Sequence, residues 1–459
     1  MNVNKGFGSK IGLLAATIGS AVGLGTIWRF PAVVQSQGGA AFLLVYLICL
    51  FVFGIPIMLA EFSLGRTGGE NVVKIFCQNT KNRWWQTVGL IGLVAANLIL
   101  PYYMVVAGWS LEYFWQSLSG DLFQGIDMTS CVGGNCKIFE SRMQESIMSA
   151  FNPIFWTYLM IIINFFVLIR GVQKGIENLS KYLMPVLFLL LVILCGVSLS
   201  LPNSVEGIEF FLKPDFSKVT IDMIVCAIGQ AFFSLSLGMG ILLTYSAYFP
   251  KDTNLPKTAV SVSFSTLLIA ILMGLIIFPA AASFNMTGAD IQLSGTTLVF
   301  VTLPAIFMQM HGTYIWALLF FSLLFVATIT STVSIAEVSI AFLCNKFGIS
   351  RSRSCFFVLS PLFITSALCS LSLGAIPEIQ IAGLSLFDFL DHTATNLILP
   401  TCSIGVCAYI GWVIRKERFN DEISNQGRIN SPVISYTFYC IKYICPILLI
   451  LLLISSLIN

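Results

Sequence analysis

The chain has 459 residues, 57% of them hydrophobic and only 10% charged, with a mean hydropathy of +0.90 and a net charge of +3. Soluble domains carry about 25% charged residues, so this composition excludes a soluble enzyme of this length, a disordered chain and a nucleic-acid binder. Thirteen scattered cysteines and two histidines show neither a disulfide scaffold nor metal-ligand spacing.

A helix needs about 20 apolar residues to cross roughly 30 Å of hydrocarbon. Eleven such runs occur, near 11–35, 40–64, 86–116, 154–169, 182–201, 221–248, 258–284, 313–343, 355–373, 384–414 and 433–457. The first holds GSAVGLG (19–25) and is too long for a signal peptide, with no small-residue cleavage site. The second ends near Glu61 and the third holds PYYMVVAGW (101–109). A loop of residues 117–153 follows, the longest, with CVGGNC at 131–136. The sixth run holds SLSLGMG (234–240), the eighth ATITSTVS (327–334), and the tenth begins at Asp388 and Asp391. Continuous rather than alternating hydrophobicity predicts helices, not a barrel. The whole chain, 1–459, reads as one transmembrane domain.

Lys and Arg set the direction. With the N-terminus inside, eighteen of them fall in inner segments and only Lys137, Arg142, Lys213 and Lys218 in outer ones. Eleven spans then place the C-terminus outside, in a cell inner (plasma) membrane. Cys131 and Cys136 would lie in an outer loop, either as a disulfide or as two free thiols.

Glycines inside apolar helices either permit close helix packing or break the helix. Two stretches, Ala21–Gly25 and Ser236–Gly240, end alike in Gly-x-Gly and open successive five-span sets. That correspondence predicts an inverted repeat of about 10–201 and 220–414, with an extra helix at about 432–457. Its two broken helices would meet at a midplane site, where freed N–H groups suit an anion and freed carbonyls a cation. Thr330 and Ser331 add hydroxyls, an oxygen-only set suited to Na⁺. Charges in the membrane pair or line cavities. Arg29 with Asp388 or Asp391 is expected to bridge an outer vestibule, or else to pin two helices. Lys442 snorkels, and Glu112 and Glu337 receive no role.

The motifs GSAVGLGTIWRFP (19–31), GGAAFLLVY (38–46), AEFSLGR (60–66), GQAFFSLSLGMG (229–240), FPAA (278–281), FVTLPAIFMQM (300–310), ATITSTVSI (327–335) and FDFLDHTATN (387–396) together resemble the neurotransmitter:sodium symporter family. The resemblance implies Na⁺-driven import of an amino acid by alternating access, and no enzyme activity. It implies one sodium site from carbonyls of Gly19, Val22 and Ala327 and hydroxyls of Thr330 and Ser331. A second would use Ala21, Thr26, Ser234 and Ser265, where the family commonly has Asn at two positions. A usual polar group four residues later is Ile269 here; Tyr46, Gln230, Ser234 and Glu61 leave chloride use open.

The implied substrate pocket has the backbone of Ala21, Leu24 and Gly25, with the Tyr103 hydroxyl on the carboxylate. Phe233 and Ser331 would meet the amine, Ser234 would also face the substrate, and Ile99, Ser236, Met239, Thr332 and Ile335 would surround the side chain. No Asp stands at the first break, which favours a zwitterion. Met239 between glycines resembles pockets that take large hydrophobic or aromatic amino acids. Phe233 and Tyr103 would form an outer lid under Arg29 and Asp391. The family's inner Arg–Asp latch aligns with Asn4/Lys5 and Asn345, so the inner latch must differ. A sodium-independent exchanger and a non-transporting receptor compete with the symporter. The sequence leaves open the amino acid, the sodium number, chloride or proton coupling and the oligomeric state.

Overall fold

The computed structural model describes residues 6–68, 72–77, 80, 82–126, 137–284, 295–429 and 432–458. Cys131, Cys136, Asn4 and Lys5 lie outside the described residues. The first span is α1 (Lys10–Ala21), then a π-helical turn at Gly25–Arg29 running into α2 (Phe30–Ser36); the two limbs meet at 53°. Then come α3 (Ala40–Cys49) and α4 (Ile55–Gly68), joined through a π-turn, and the 34-residue α5 (Gln86–Ser119). Polar α6 (Lys137–Met148) meets α7 (Asn152–Leu168) at 74°. A π-turn at Val172–Glu177 leads into α8 (Asn178–Leu199), and α9 (Ser204–Leu212) closes the first half.

The second half opens with α10 (Ile221–Ser234) and α11 (Ile241–Ala247), which flank six non-helical residues. Next are α12 (Leu255–Ser283), one turn α13 (Gly295–Thr297), α14 (Leu303–Gln309), the 35-residue α15 (Thr313–Phe347) and α16 (Arg351–Ser372). A two-stranded ribbon, β1 (Gln380–Ile381) with β2 (Leu384–Ser385), leads to α17 (Leu386–His392) and α18 (Leu399–Ala408). The chain ends with α19 (Lys416–Ile423), α20 (Pro432–Tyr439) and α21 (Cys445–Ile458).

Among the described residues, eight helices are long and apolar enough to cross a membrane, or ten with the bent pairs. The run expected at 221–248 adds no single span, because its break leaves helices of 14 and 7 residues. The long helices α5 and α15 pack on each other at the centre, and α12 packs on α8 and α9. Burial follows this order. In the most apolar window of α15, 78% of residues are buried, against 28% at Tyr436–Leu457, a peripheral helix with apolar side chains facing outward.

Each break has a local cause. At the first, Val22 leaves helical geometry at φ −86°, ψ 77°, and the N–H groups of Thr26 and Ile27 both turn back to the Gly23 carbonyl, at 3.1 and 3.2 Å. At the second, Ser236, Gly238 and Gly240 take φ of 54°, 76° and 74°. Glycine adopts that region freely, whereas an L side chain such as Ser236 is strained there. The end of the bundle that holds Lys10 is the proximal end, the other the distal end.

Candidate functional site

The two breaks meet. Ser236 Oγ donates to the Ser20 carbonyl at 2.8 Å, and Gln230 Nε2 donates to the Gly25 carbonyl at 2.8 Å and to Ser234 Oγ at 3.0 Å. Helix α15 crosses both. Ser331 Oγ donates to the Gly19 carbonyl at 3.5 Å. Thr330 Oγ1 lies 3.0 Å from the Ala327 carbonyl and 3.1 Å from that of Val326, and its Cβ lies against Gly19. Gly19, Ala327, Thr330 and Ser331 thus share one buried spot, with Val22 buried three residues further along the break. Its neutral oxygens match what a hard monovalent cation takes.

On the other side of the break, the Leu24 N–H donates to the Tyr103 hydroxyl at 3.0 Å. Both the Tyr103 hydroxyl and Ser331 Oγ press on Gly23, where an added Cβ would sit 2.5 Å from each. A freed N–H, a phenol and a serine hydroxyl therefore converge at one backbone position. The cavity beside them, about 20 Å³, is lined by Ala21, Gly25, Ile99, Tyr103, Phe233, Ser236, Met239, Ser331 and Ile335, all named above as candidate pocket residues. Ser20, Gly23 and Ile241 also line it and were missed, although the first two lie inside the GSAVGLG motif. Leu24, Ser234 and Thr332 do not line it: Leu24 contributes only its N–H, and Thr332 Oγ1 bonds back to the Ile329 carbonyl at 3.1 Å. The Phe233 ring lies against Gly25 so closely that a Cβ there would come within 2.3 Å.

The second cation set is only partly assembled. Thr26 Oγ1 reaches the Ala21 carbonyl at 3.5 Å, and Ser234 stands beside the Tyr46 hydroxyl. Ser265 does not face the interior; it is half-buried, while Ser263 and Thr266 are fully buried. One residue rotates a helical side chain by about 100°, so a one-residue offset brings fully buried Thr266 to the inner face, its Oγ1 donating to the Val262 carbonyl at 3.0 Å. Glu61 Oε1 accepts the Gly238 N–H at 2.7 Å and holds the second break.

The expected Arg29–Asp391 bridge is not formed. The Arg29 guanidinium lies over the Phe233 ring, 4.9 Å from its centroid, and Asp391 lies near the Tyr102 hydroxyl. Asp388 instead completes the start of α17, where Ser385 Oγ donates to it at 2.7 Å. Aromatic rings fill the distal side. Phe300 contacts Tyr113, Trp109 and Trp28 at centroid distances of 4.8, 5.9 and 6.3 Å, and Trp109 stacks on Phe387. A separate cavity of about 330 Å³ lies distal to Phe233, between Arg29, Asp222, Asn396 and Ser456.

The proximal end is bridged by contacts among groups that sequence reasoning left without a role. Arg351 grips buried Glu337 through Nη2–Oε2 at 2.6 Å and Nη1–Oε1 at 3.0 Å, and the Tyr248 hydroxyl adds a third contact at 3.1 Å. Tyr245 donates to Ser334 at 2.7 Å, and Ser334 donates to the Thr330 carbonyl at 2.6 Å, connecting this end to the Gly19–Thr330 spot. Phe7 packs among Tyr245, Tyr248 and Phe249. The Gly8 N–H and the Ser9 hydroxyl donate to Glu177 at 2.6 and 2.7 Å. Arg351 and Glu337 are 14 residues apart, so the pair was visible only as two isolated charges.

Comparison with known proteins gives this geometry a lineage. Residues 4–152 and 140–459 match the sodium:neurotransmitter symporter family. An uncharacterized sodium-dependent transporter of Haemophilus influenzae is 34% identical over 98% of this chain and 97% of its own length. A second, from Bacillus subtilis, is 33% identical over 96% and 95%. The crystal structure of MhsT in complex with L-phenylalanine superposes with a TM-score of 0.88 at 36% identity, covering 99% of this chain and 100% of that one. The chain is a member of the sodium:neurotransmitter symporter family, a multi-pass sodium-dependent transporter with two broken helices.

Proposed function

We propose that this transporter imports a hydrophobic or aromatic L-amino acid with Na⁺ by alternating access. It would work in the plasma membrane, N-terminus cytoplasmic and C-terminus external, as two repeats of about 10–201 and 220–414. The observation that carries this reading is the convergence of the Leu24 N–H, the Tyr103 hydroxyl and Ser331 Oγ on Gly23, beside the Gly19–Thr330 spot. A carboxylate seated at the first group would lie next to the cation at the second, so each favours the other's binding. The cation moves down its gradient, about 2.3 kcal/mol per charge across 100 mV, which supports more than tenfold accumulation per ion.

In this reading Gly19, Val22, Ala327, Thr330 and Ser331 hold one sodium. Ala21, Thr26, Ser234 and Thr266, in place of Ser265, hold a second with the substrate carboxylate. Four residues beyond Thr266 stands Ala270, again apolar. Any chloride would therefore rest on Tyr46, Gln230 and Ser234, and replacing chloride by gluconate decides its use. Ile99, Met239 and Ile335 give the pocket an apolar wall, and the likeness to MhsT, crystallised with L-phenylalanine, supports a large apolar substrate. The half-buried Arg351–Glu337 pair acts as inner latch, and the Arg29–Phe233 contact as part of the outer lid.

The test is uptake into proteoliposomes with a panel of the twenty amino acids, in Na⁺ and then in choline. Phe, Tyr, Trp or Leu is expected to rank first, and Thr330→Ala with Ser331→Ala to abolish Na⁺ stimulation. Full uptake in choline selects the exchanger, binding without accumulation selects the receptor, and a win for Gly or Ala refutes the large-substrate reading, which requires the cavity of about 20 Å³ to widen on binding.

A further inference from the structure

At the proximal end the apolar span Leu386–Val413 gives way to Arg415, Lys416 and Arg418. Its last turn, Tyr409–Val413, packs on the π-turn Cys440–Ile444 that joins α20 to α21. Two lysines gather at this junction among aromatic rings. Lys416 Nζ donates to the Tyr439 hydroxyl at 3.1 Å and lies 4.5 Å from the centre of that ring. Lys442 Nζ lies 5.6 Å from the Tyr443 ring centre and 5.9 Å from that of Trp412, and these two rings meet edge to face at 6.5 Å. Tyr439 and Tyr443 stand one helical turn apart, so both ammonium groups belong to one patch.

The patch faces outward without a counter-charge of its own. Trp412, Tyr439 and Tyr443 are exposed, while Lys416 and Lys442 are half-buried. Among the described residues no carboxylate pairs with either lysine; Glu422 is committed to Arg66, and Asp252 to Lys10. Each ammonium carries three donors, and the two together make one hydrogen bond among the described residues, that to Tyr439. An apolar track leads away from them. Tyr443, Ile447, Leu451 and Ile454 are exposed and recur at three- and four-residue spacing, on one face of the last helix.

We infer that this junction binds an anionic phospholipid, with its phosphate oxygens on Lys416 and Lys442 and an acyl chain along the track from Tyr443 to Ile454. The charge calls for an anion. Two ammonium groups beside Trp and Tyr, where a span ends, suit an anion held at the membrane boundary. Basic clusters between spans recognise such headgroups. The apolar track favours a lipid over a free phosphate, which has no chain to lay on it. Helix α18, which the headgroup would fix at its proximal end, backs the second break, where the Leu399 carbonyl lies 2.6 Å from the place of a Cβ on Gly238. Occupancy therefore steadies a helix that supports the transport site.

The experiment follows thermal unfolding of the full chain in a neutral detergent, titrated with phosphatidylglycerol. Phosphatidylcholine of the same acyl chains and sn-glycerol 3-phosphate are the controls. A saturable rise with phosphatidylglycerol alone is expected. Lys416→Gln with Lys442→Gln should raise the half-saturating concentration about 30-fold, the effect of two basic residues at an anionic surface. Lys251→Gln with Lys257→Gln removes the same charge at exposed positions outside the junction, and should change it less than twofold. Na⁺-driven uptake in phosphatidylcholine proteoliposomes should stay within twofold in both. Should the first double variant fail to fold, its single variants decide, at about fivefold each. The inference is overturned by the absence of a saturable rise, or by an equal rise with phosphatidylcholine or sn-glycerol 3-phosphate. It is also overturned if the Lys416 and Lys442 variants shift the midpoint no more than the Lys251 and Lys257 pair.

Discussion

Gly23→Ala probes the centre of the mechanism with one methyl group. The added Cβ would stand 2.5 Å from Ser331 Oγ and 2.5 Å from the Tyr103 hydroxyl, against 3.4 Å for an ordinary contact, so each oxygen must retreat by about 0.9 Å. Overpacking of this kind costs about 1–3 kcal/mol. Moving Tyr103 also breaks its 3.0 Å bond from the Leu24 N–H, about 0.5–1.5 kcal/mol more. The sum, about 1.5–4.5 kcal/mol, corresponds to a roughly 10- to 2,000-fold loss of apparent affinity. Because the two displaced oxygens are assigned to substrate and sodium, both affinities should fall together. Equilibrium binding of radiolabelled substrate by scintillation proximity, with Na⁺ varied, measures each. Gly196→Ala is the control, since nothing lies within 4 Å of its Cβ. If Gly23→Ala binds substrate and sodium within threefold of the parent, the assignment of Tyr103 and Ser331 to one shared site is wrong.

Three further outcomes follow from the geometry. Glu337 is buried but the Arg351 side chain is 18% exposed, so breaking the pair costs less than the about 3–5 kcal/mol of a fully buried one; Glu337→Gln should still open the proximal end and raise maleimide labelling of buried Cys344 at least tenfold in inside-out vesicles, and unchanged labelling would take the pair out of the latch. At Ser236, φ 54° costs an L residue about 1–2 kcal/mol. Ser236→Gly should therefore offset its lost bond to Ser20 and melt near the parent, while Ser236→Ala, keeping the strain, should lose about 1 kcal/mol in thermal unfolding. Thr266→Ala should raise half-saturating Na⁺ at least fivefold and Ser265→Ala by less than twofold; the reverse order would restore Ser265 as the ligand.

Much of the site was legible because its signals are local. Gly19 through Gly25 and Ser234 through Gly240 announce their breaks by composition, and nine of the twelve expected pocket residues line the cavity. Thr332 stays out of the cavity lining although it adjoins Ser331 in the motif, because one residue turns a helical side chain by about 100°. Asp388 was misjudged because a capping carboxylate and a gating one look alike until Ser385 is seen beside it.

What the sequence determined by itself was the membrane-spanning helical class, the two interruptions and the oxygen-rich run at Thr330 and Ser331. Run length, glycine content and hydroxyl spacing are properties of neighbouring residues. Only the tertiary structure decided that Thr266 rather than Ser265 is fully buried, that Arg29 meets Phe233 rather than Asp391, and that Glu337 meets Arg351 and Glu177 meets Gly8 and Ser9 at the proximal end. Those outcomes depend on helix rotation, where a single residue means about 100°. They depend also on contacts such as Ser9 with Glu177, 168 residues apart, which no local pattern encodes.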